Sequence, residues 1–524
     1  MQYSVRSLRG MVTAPHHLAA QAGLGVLQEG GNAREAAVAV AATLAVVYPH
    51  MTGIGGDGFW LVCEPDGRVE AIDACGRAAA QANLALYAGC AQVPVRGPLA
   101  ANTVAGTLSG WALALEGGRL PLERLLRDAI GHAENGFAIT AGGAATAAAK
   151  TDELRGQPGG YAAIFEPGGR PLREGEVLRQ PRLAETLRLL ARDGLDSFYT
   201  GLLANQIAGD LEALGSPLRI SDLELHRADR VSPLSVVIQG ARLYNLPPPT
   251  QGVASLLILA LLDRCDIGRA DSFEHIHGVV EATKRAFAYR DAHVGDPTYM
   301  SVDPQALLDD ALALAEMAAG IDPAQAMAWP RALPPSDTCW FGAADAEGRV
   351  VSAIQSIYHE FGSGVVLPNS GITWQNRGSS FRLTPDGWNA LKPGRKPFHT
   401  LNPALARFED GRAMAYGTMG GEGQPQTQAA IFTRYARQGV GLQEAISRPR
   451  WLLGRTWGEE TTSLKLEDGF APHVVEQLRA AGHEVELVPG FSALMGHAGA
   501  IVRHPDGVLE GATDPRSDGQ VAAW

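Results

Sequence analysis

The order of helix-like and strand-like segments constrains the fold of this chain most. Strand-like runs separated by Asp/Gly turns lie near the start, within residues 59–72, and again from residue 339 to residue 502. Between them, residues 105–330 carry apolar residues at helical spacing and are predicted to be mostly helical. Helices placed between and after antiparallel hairpins favour a fold of layered helices and sheets over a parallel, doubly wound sheet.

Periodicity and turn residues predict the individual elements. Predicted helices are 36–47, 120–133, 183–193, 202–214, 253–262, 273–293 and 474–481. Predicted strands are 59–63, 69–72, 339–345, 350–357, 404–409, 413–417, 485–488 and 499–502. Residues 321–337 are rich in Pro and Ala without periodicity and are predicted to form an exposed linker.

Composition excludes several classes of protein. The 524 residues are 46% hydrophobic and 19% charged, which is typical of a large globular protein. The net charge of −12 argues against a nucleic-acid partner and against binding to an anionic membrane. Five cysteines without a C-x-x-C pair argue against a disulfide framework. Residues 1–10 lack the apolar segment of a secretory signal, so we expect a cytoplasmic protein.

Two motifs suggest ligand sites that their context does not support. Residues 53–58 match G-x-G-x-x-G, but dinucleotide binding needs a strand before the motif and a helix after it, and here the order is reversed. A tight glycine loop beside a site is the better interpretation. His275 and His277 lie in a predicted helix, where residues two apart point in different directions. We therefore predict no metal and no cofactor.

The segment after the linker contains the most suggestive chemistry. No G-x-S-x-G nucleophile motif is present, whereas Asp337-Thr338 comes directly before a predicted strand. A threonine hydroxyl becomes a useful nucleophile when its own backbone nitrogen is a free amine that accepts the proton. That amine requires cleavage of the Asp337–Thr338 bond. The alternative is a β-branched residue that simply begins a strand.

Motifs along nearly the whole chain support the first interpretation. They lie at residues 30–33, 49–58, 102–106, 247–252, 295–297, 337–339, 361–364, 417–421 and 514–519. Together they resemble the γ-glutamyltranspeptidase family of N-terminal-nucleophile hydrolases. The resemblance implies an α+β fold, a four-layer αββα sandwich made as one proenzyme. It also implies a cut into a large chain, residues 1–337, and a small chain, residues 338–524, which form a heterodimer and build one domain; further dimerisation is left open.

The resemblance also implies residue roles. Thr338 would be the nucleophile and, through its new amine, the general base. Gly420 and Gly421 match the glycine pair whose backbone N–H groups form the oxyanion hole. Ser356 stands where the family has the threonine that hydrogen-bonds the nucleophile.

Other positions depart from the transpeptidase pattern for binding a γ-glutamyl group. Tyr358, Arg377 and Ser380 replace an asparagine, a glutamine and an aspartate, and a serine pair becomes His399-Thr400. Without the aspartate, a substrate ammonium group would lack its charge partner, and Arg377 would repel it. Arg377, with His399 and Thr400, suits a small carboxylate instead. The alternative for Arg377 is a surface arginine that closes a loop.

This altered set resembles the oxamate amidohydrolase branch of the family, which releases ammonia and oxalate from oxamate in purine (uric acid) breakdown. The expected partner is thus a small anionic amide. Three alternatives remain open: a γ-glutamyl transferase or glutathione hydrolase, an acylase acting on glutaryl side chains, and an unprocessed relative without catalytic activity.

Overall fold

Two seven-stranded antiparallel sheets form the centre of the fold. The computed structural model describes residues 3–329, 337–454 and 461–524, with Asp337 described by its backbone alone. The strands of these residues are β1 (Val5–Ser7), β2 (Gly10–Ala14), β3 (Asp57–Cys63), β4 (Val69–Ala74), β5 (Phe137–Ala138), β6 (Val177–Leu178), β7 (Asp229–Val231), β8 (Leu234–Ile238), β9 (Ala241–Asn245), β10 (Asp337–Asp345), β11 (Val350–Tyr358), β12 (Ala404–Phe408), β13 (Ala413–Thr418), β14 (Trp451–Leu453), β15 (Leu464–Glu467), β16 (Val485–Val488), β17 (Ala498–Arg503), β18 (Leu509–Thr513) and β19 (Gln520–Ala523).

Helices cover the outer faces of both sheets. They are α1 (His17–Gln28), α2 (Ala33–Val47), α3 (Thr107–Ala114), α4 (Leu122–Asn135), α5 (Ala141–Leu154), α6 (Tyr161–Phe165), α7 (Pro181–Asp193), α8 (Gly201–Leu214), α9 (Ile220–Glu224), α10 (Gly252–Leu262), α11 (Phe273–His293), α12 (Pro304–Asp309), α13 (Ala311–Ala319), α14 (Gln424–Phe432), α15 (Leu442–Ser447) and α16 (Pro472–Ala480). None of these helices combines the length and apolar character needed to cross a lipid bilayer.

The strand order interleaves the two parts of the chain. One sheet runs β1-β18-β17-β13-β12-β9-β8 and the other runs β19-β2-β10-β11-β3-β4-β7. Both sheets therefore contain strands from before and from after residue 337. The predicted division into residues 1–337 and 338–524 stays a prediction, but a cut there would leave both pieces within the same two sheets.

Side chains of β10 show how the layers are held together. Cys339 and Phe341 point to one face and pack in the core that includes α1, α2 and α4. Trp340 and Ala344 point to the opposite face and pack in the core between the two sheets. This period-2 alternation places apolar residues on both faces of a fully buried strand. The predicted αββα sandwich is confirmed.

Helix α2 shows why the sequence begins a helix where it does. The Asn32 side chain accepts hydrogen bonds from Arg34 N and Glu35 N, and Glu35 Oε2 accepts one from Asn32 N. This capping box satisfies N–H groups that the first turn leaves unpaired. All fifteen residues of α2 are buried, and its many alanines allow close packing.

Residues 105–330 are mostly helical as predicted, from α3 to α13, but the prediction did not include the short strands β5 to β9. Strands β8 and β9 each alternate between buried and more exposed residues, which is a strand signal, but they are only five residues long. A long window of helical spacing conceals such short elements. The described part of the predicted linker, up to residue 329, is largely exposed and tethered by a hydrogen bond from Ala326 N to Ala481 O. Residues 330–336 lie outside the described residues.

Candidate active site

Thr338 lies at an irregularity near the start of β10. Asp337 pairs with Tyr358 of β11 and Cys339 pairs with Gln355, so the ladder contains a bulge at Thr338. Bulges re-aim a side chain and are frequent beside active sites. The Thr338 side chain is fully buried, and its Oγ1 accepts a hydrogen bond of 3.1 Å from Gln424 Nε2. The backbone thus presents a fixed hydroxyl between the sheets. The Asp337 side chain lies outside the described residues.

A glycine turn connects β13 to α14 beside this hydroxyl. Gly420 has φ 120° and Gly421 has φ 49°, conformations that favour glycine because it lacks a Cβ. Gly423 N donates to Gly420 O at 2.7 Å, which closes the turn, and α14 begins at the next residue. The N-terminal end of a helix favours negative charge. The turn can therefore offer backbone N–H groups to an anion.

Ser356 lies on β11, across from Thr338. It pairs with Asp57 of β3, and its Oγ accepts a hydrogen bond of 2.7 Å from Tyr358 N. The predicted glycine loop packs directly against it, since a Cβ on Gly56 would lie 2.1 Å from Ser356 O. The loop follows α2 and precedes β3, the order expected for a supporting loop rather than a nucleotide site.

Arg377 is a buried cation, not the surface arginine of the alternative interpretation. Its side chain is 1% exposed, and its guanidinium carbon lies 3.6 Å from the centre of the Tyr358 ring. Both terminal nitrogens donate to Thr400 Oγ1 at 3.4 Å, whereas Nε has no hydrogen-bond partner among the described residues. Burial lowers the pKa of Arg377 to about 10, so the group is still charged at neutral pH. A buried cation of this kind attracts an anion.

Asp57 carries a carboxylate that acts electrostatically on Arg377, but its oxygens already contact other groups. Asp57 Oδ2 lies 3.0 Å from His399 Nε2. Asp57 Oδ1 accepts hydrogen bonds from three further groups, which are Gly76 N, Gly106 N and Gln375 Nε2. Asp57 therefore acts on Arg377 at longer range without forming an ion pair with it.

His399 is held as a neutral ring in this cluster. Burial, with Arg377 and Lys396 nearby, keeps the pKa of His399 well below its usual value. Burial also raises the pKa of Asp57. The second ring nitrogen, Nδ1, has no hydrogen-bond partner among the described residues.

Ser380 is less buried than the other predicted site residues whose side chains the structure describes. It is half-buried, and its hydroxyl donates to Phe398 O at 3.4 Å. Its backbone oxygen accepts a hydrogen bond of 2.7 Å from Asn389 Nδ2. These contacts give Ser380 a part in closing the loop. Strand pairing and hydrogen bonds connect the other predicted residues, all of them buried, which are Thr338, Gly420, Gly421, Ser356, Tyr358, Arg377, His399 and Thr400.

Among the residues that the structure describes, two buried groups have the residue types of a metal site. Asp57, Cys75 and His399 form one, and their polar atoms already include the 3.0 Å contact between Asp57 and His399. The other contains His277, Glu281 and His483; His277 Nδ1 lies 2.9 Å from His483 Nε2. Both groups are explained by hydrogen bonds within the protein, and the absence of a metal stays a prediction.

His275 confirms the reasoning about the two neighbouring histidines on α11. Its Nε2 contacts Thr433 Oγ1 at 2.8 Å, whereas His277 contacts His483 and the Asp322 carbonyl. The two rings thus point to different partners.

Sequence reasoning missed three buried residues of the site. Asp57 and Gln251 lie within motifs that carry the family resemblance, but nothing in those motifs assigns a contact to either side chain. Gln251 Nε2 donates to the carbonyls of Thr400 and Gly421. Gln424 begins a helix that the sequence did not predict, so no signal pointed to it.

Comparisons with known proteins agree over the whole length of the chain. The family model described as gamma-glutamyltranspeptidase matches residues 19–524. The oxamate amidohydrolase proenzyme of Klebsiella pneumoniae is 57% identical over 530 residues, which is 100% of both chains. A glutathione hydrolase-like proenzyme of Bacillus subtilis is 42% identical over 99% of both chains. The crystal structure of cephalosporin acylase from Bacillus halodurans has a TM-score of 0.92 and 36% identity, covering 100% of this chain and 97% of that one.

Proposed function

The chain belongs to the gamma-glutamyltranspeptidase family, and from that premise we propose that it is a self-processing amidohydrolase that converts oxamate to oxalate and ammonia. The Klebsiella relative that bears the name oxamate amidohydrolase is 57% identical to it over the full length. Family membership supports amide hydrolysis as the reaction. The binding residues that differ from the transpeptidase pattern support oxamate as the substrate.

The observation that carries the proposal is the buried Arg377. A guanidinium taken out of water needs an anionic partner, and the described residues leave Nε of Arg377 without one. A carboxylate fits this group because the planar guanidinium can bind two oxygens at once. Thr400 supplies a hydroxyl at the same place. Oxamate is a small anion that carries its carboxylate directly on the amide carbon, so it offers the charge that a buried guanidinium needs.

A γ-glutamyl substrate fits this site less well. Its α-ammonium group would enter a buried cluster that already contains Arg377 and Lys396, with Asp57 and Asp73 committed to His399 and Lys396. An unpaired buried ammonium costs several kcal/mol. Recognition of an anion without an amine therefore favours oxamate over glutathione.

The proposed reaction begins after cleavage between Asp337 and Thr338. Thr338 Oγ1 attacks the amide carbon while its proton passes to the new α-amine of Thr338. Gly420 and Gly421 N–H groups stabilise the oxyanion, at roughly 3–4 kcal/mol per donor. The C–N bond then breaks as the protonated amine gives its proton to the departing nitrogen, which leaves as ammonia, and water hydrolyses the remaining ester to release oxalate. Ser356 is proposed to orient the nucleophile across the β10–β11 ladder.

Processing would divide the protein into two chains that stay together. The predicted chains have 337 and 187 residues, and each contributes strands to both sheets. The large and small chains are thus proposed to remain a heterodimer. A cytoplasmic location and a role in purine breakdown are finer proposals that follow from the resemblance to the oxamate amidohydrolase branch.

Turnover of a panel of amides tests the proposed function, measured as ammonia release for primary amides and as p-nitroaniline release for the anilide. Purified, processed protein is given oxamate, succinamate, a glutaryl amide and γ-glutamyl-p-nitroanilide, with T338A as the blank. We expect oxamate to have the highest kcat/KM. Fast turnover of the γ-glutamyl compound without turnover of oxamate would reject the proposal, and a single uncut, inactive chain would support the non-catalytic alternative.

A further inference from the structure

The side chain of Gln251 joins two parts of the candidate active site. Its Nε2 donates to Gly421 O at 2.8 Å and to Thr400 O at 2.6 Å. Its Oε1 accepts a hydrogen bond of 2.7 Å from Arg290 Nη1. The side chain is fully buried, and these three contacts use both N–H groups and the carbonyl of the amide. Gln251 is therefore a fully bonded cross-link rather than a gap-filling residue.

The backbone around Gln251 strengthens one end of this cross-link. Gln251 N donates to His399 O at 2.9 Å, and His399 N donates to Pro249 O at 2.9 Å. Thr250 and His399 also form a parallel bridge. The segment that carries Gln251 thus runs beside the segment that carries His399 and Thr400.

Arg290 strengthens the other end. It forms an ion pair with Glu422, the residue after Gly421, and both side chains are at most 2% exposed. Its Nε also donates to Asp291 Oδ1 at 2.8 Å. Gln251, Arg290 and Glu422 therefore enclose the glycine turn and hold it in one place relative to Thr400.

The two parts that Gln251 joins have different proposed tasks. Gly421 belongs to the turn that binds the oxyanion, and Thr400 contacts Arg377, which binds the substrate carboxylate. We propose that Gln251 is a positioning residue that fixes the spacing between these two subsites, and so selects acyl donors whose carboxylate is bonded directly to the amide carbon. This inference rests on the proposed function and adds to it the selection of chain length.

The length of the acyl donor is the property to measure. Malonamate is longer than oxamate by one methylene between the carboxylate and the amide. One methylene in a fitted pocket changes kcat/KM by about 10- to 200-fold. We expect wild-type protein to prefer oxamate to malonamate within this range. A loosened spacing should reduce the preference, whereas a merely structural role would lower both activities equally.

Two variants and one control test the inference. Q251N keeps the amide, but its side chain is too short to reach both Thr400 O and Gly421 O. Q251E keeps the oxygen that accepts from Arg290 but replaces the donor to those two carbonyls with a second oxygen. Q180N is the control, because Gln180 is also buried and its Nε2 donates to a distant carbonyl, Val46 O, at 2.8 Å. If a variant does not cleave itself, residues 1–337 and 338–524 are expressed together as two separate polypeptides, for wild type and variants alike.

We expect the oxamate-to-malonamate preference to fall about tenfold in a Gln251 variant and to stay unchanged in Q180N. A preference within twofold of wild type in both Gln251 variants would overturn the inference. Loss of folded protein in both, with Q180N folded, would also overturn it by assigning Gln251 to folding. If wild type hydrolyses neither amide, the proposed function fails separately, and chain-length selection is measured with its best acyl donor and the homologue longer by one methylene.

Discussion

Gln424 Nε2 donates a hydrogen bond to Thr338 Oγ1 across 3.1 Å. The first residue of α14 thereby reaches the hydroxyl near the start of β10, between the two sheets. Gln424 Oε1 accepts a hydrogen bond from Asn402 N, so the amide orientation is fixed from both sides. In the proposed reaction, this contact would orient Thr338 and donate to the oxygen that attacks the substrate.

Replacement of Gln424 should therefore slow the chemical step. We expect Q424L to lower kcat on oxamate about 10- to 100-fold with little change in KM, because a hydrogen bond to a charged group is worth about 1.5–3 kcal/mol. Q428L is the control, since Gln428 lies one turn further along α14 and donates to Asn402 O. Equal kcat in Q424L and wild type would contradict the role.

Replacement of Thr338 should remove both self-cleavage and activity. We expect T338A to run as one chain on a denaturing gel and to release no ammonia, because it lacks the attacking hydroxyl. T338S should still be cut. T186A is a matched control, because Thr186 is also buried and its hydroxyl donates to a distant carbonyl, Ser370 O. Self-cleavage or ammonia release by T338A would contradict the proposed mechanism.

Replacement of Arg377 should weaken recognition of the substrate's negative charge. We expect R377M to lower kcat/KM for oxamate about 100-fold or more, since removing one partner of a buried charge pair costs about 2–5 kcal/mol. The preference for oxamate over its neutral ethyl ester should fall as well. R395M is the control, because Arg395 also lies over an aromatic ring, that of Tyr299. An unchanged preference for oxamate over its ethyl ester in R377M would show that Arg377 does not bind the substrate carboxylate.

Glu422 should make stability depend on pH. Burial raises the pKa of Glu422 from 4.5 to about 7, although Arg290 opposes the shift. A carboxyl with a raised pKa in the folded state favours folding below pH 4.5, and this contribution is lost as the pH rises through 7. Wild type should thus lose up to about 3 kcal/mol of stability relative to E422Q between pH 4.5 and 8. Urea unfolding at several pH values measures this; parallel pH curves for the two proteins would contradict it.

The sequence predicted the larger elements of the fold well. Helix α11 and strand β16 begin and end where the periodicity placed them, at Phe273–His293 and Val485–Val488. The strands of the β10–β11 and β3–β4 hairpins were also predicted. The short β8 and β9 were missed, because five residues of alternation carry little signal inside a long helical segment.

The proposed chemistry of the site rests on residues that the sequence analysis had already singled out. Residue chemistry alone suggested Thr338 after Asp337, whereas the roles of Gly420 and Gly421 and the replacement of an aspartate by Ser380 came from the family resemblance. Arg377 was likewise recognised as a carboxylate-binding candidate from its type and neighbours. What the sequence could not give was its burial, which turns an ordinary arginine into a cation that needs an anion.

Only the tertiary structure decided which groups support these residues. Gln424, Gln251 and Asp57 reach Thr338, Gly421 and His399 from positions far away in the chain. Local periodicity reports which face of an element is apolar, but it contains no distance between elements. The partners of a buried polar atom depend on how the two sheets and their helices stack, so they follow from the packing of the whole chain.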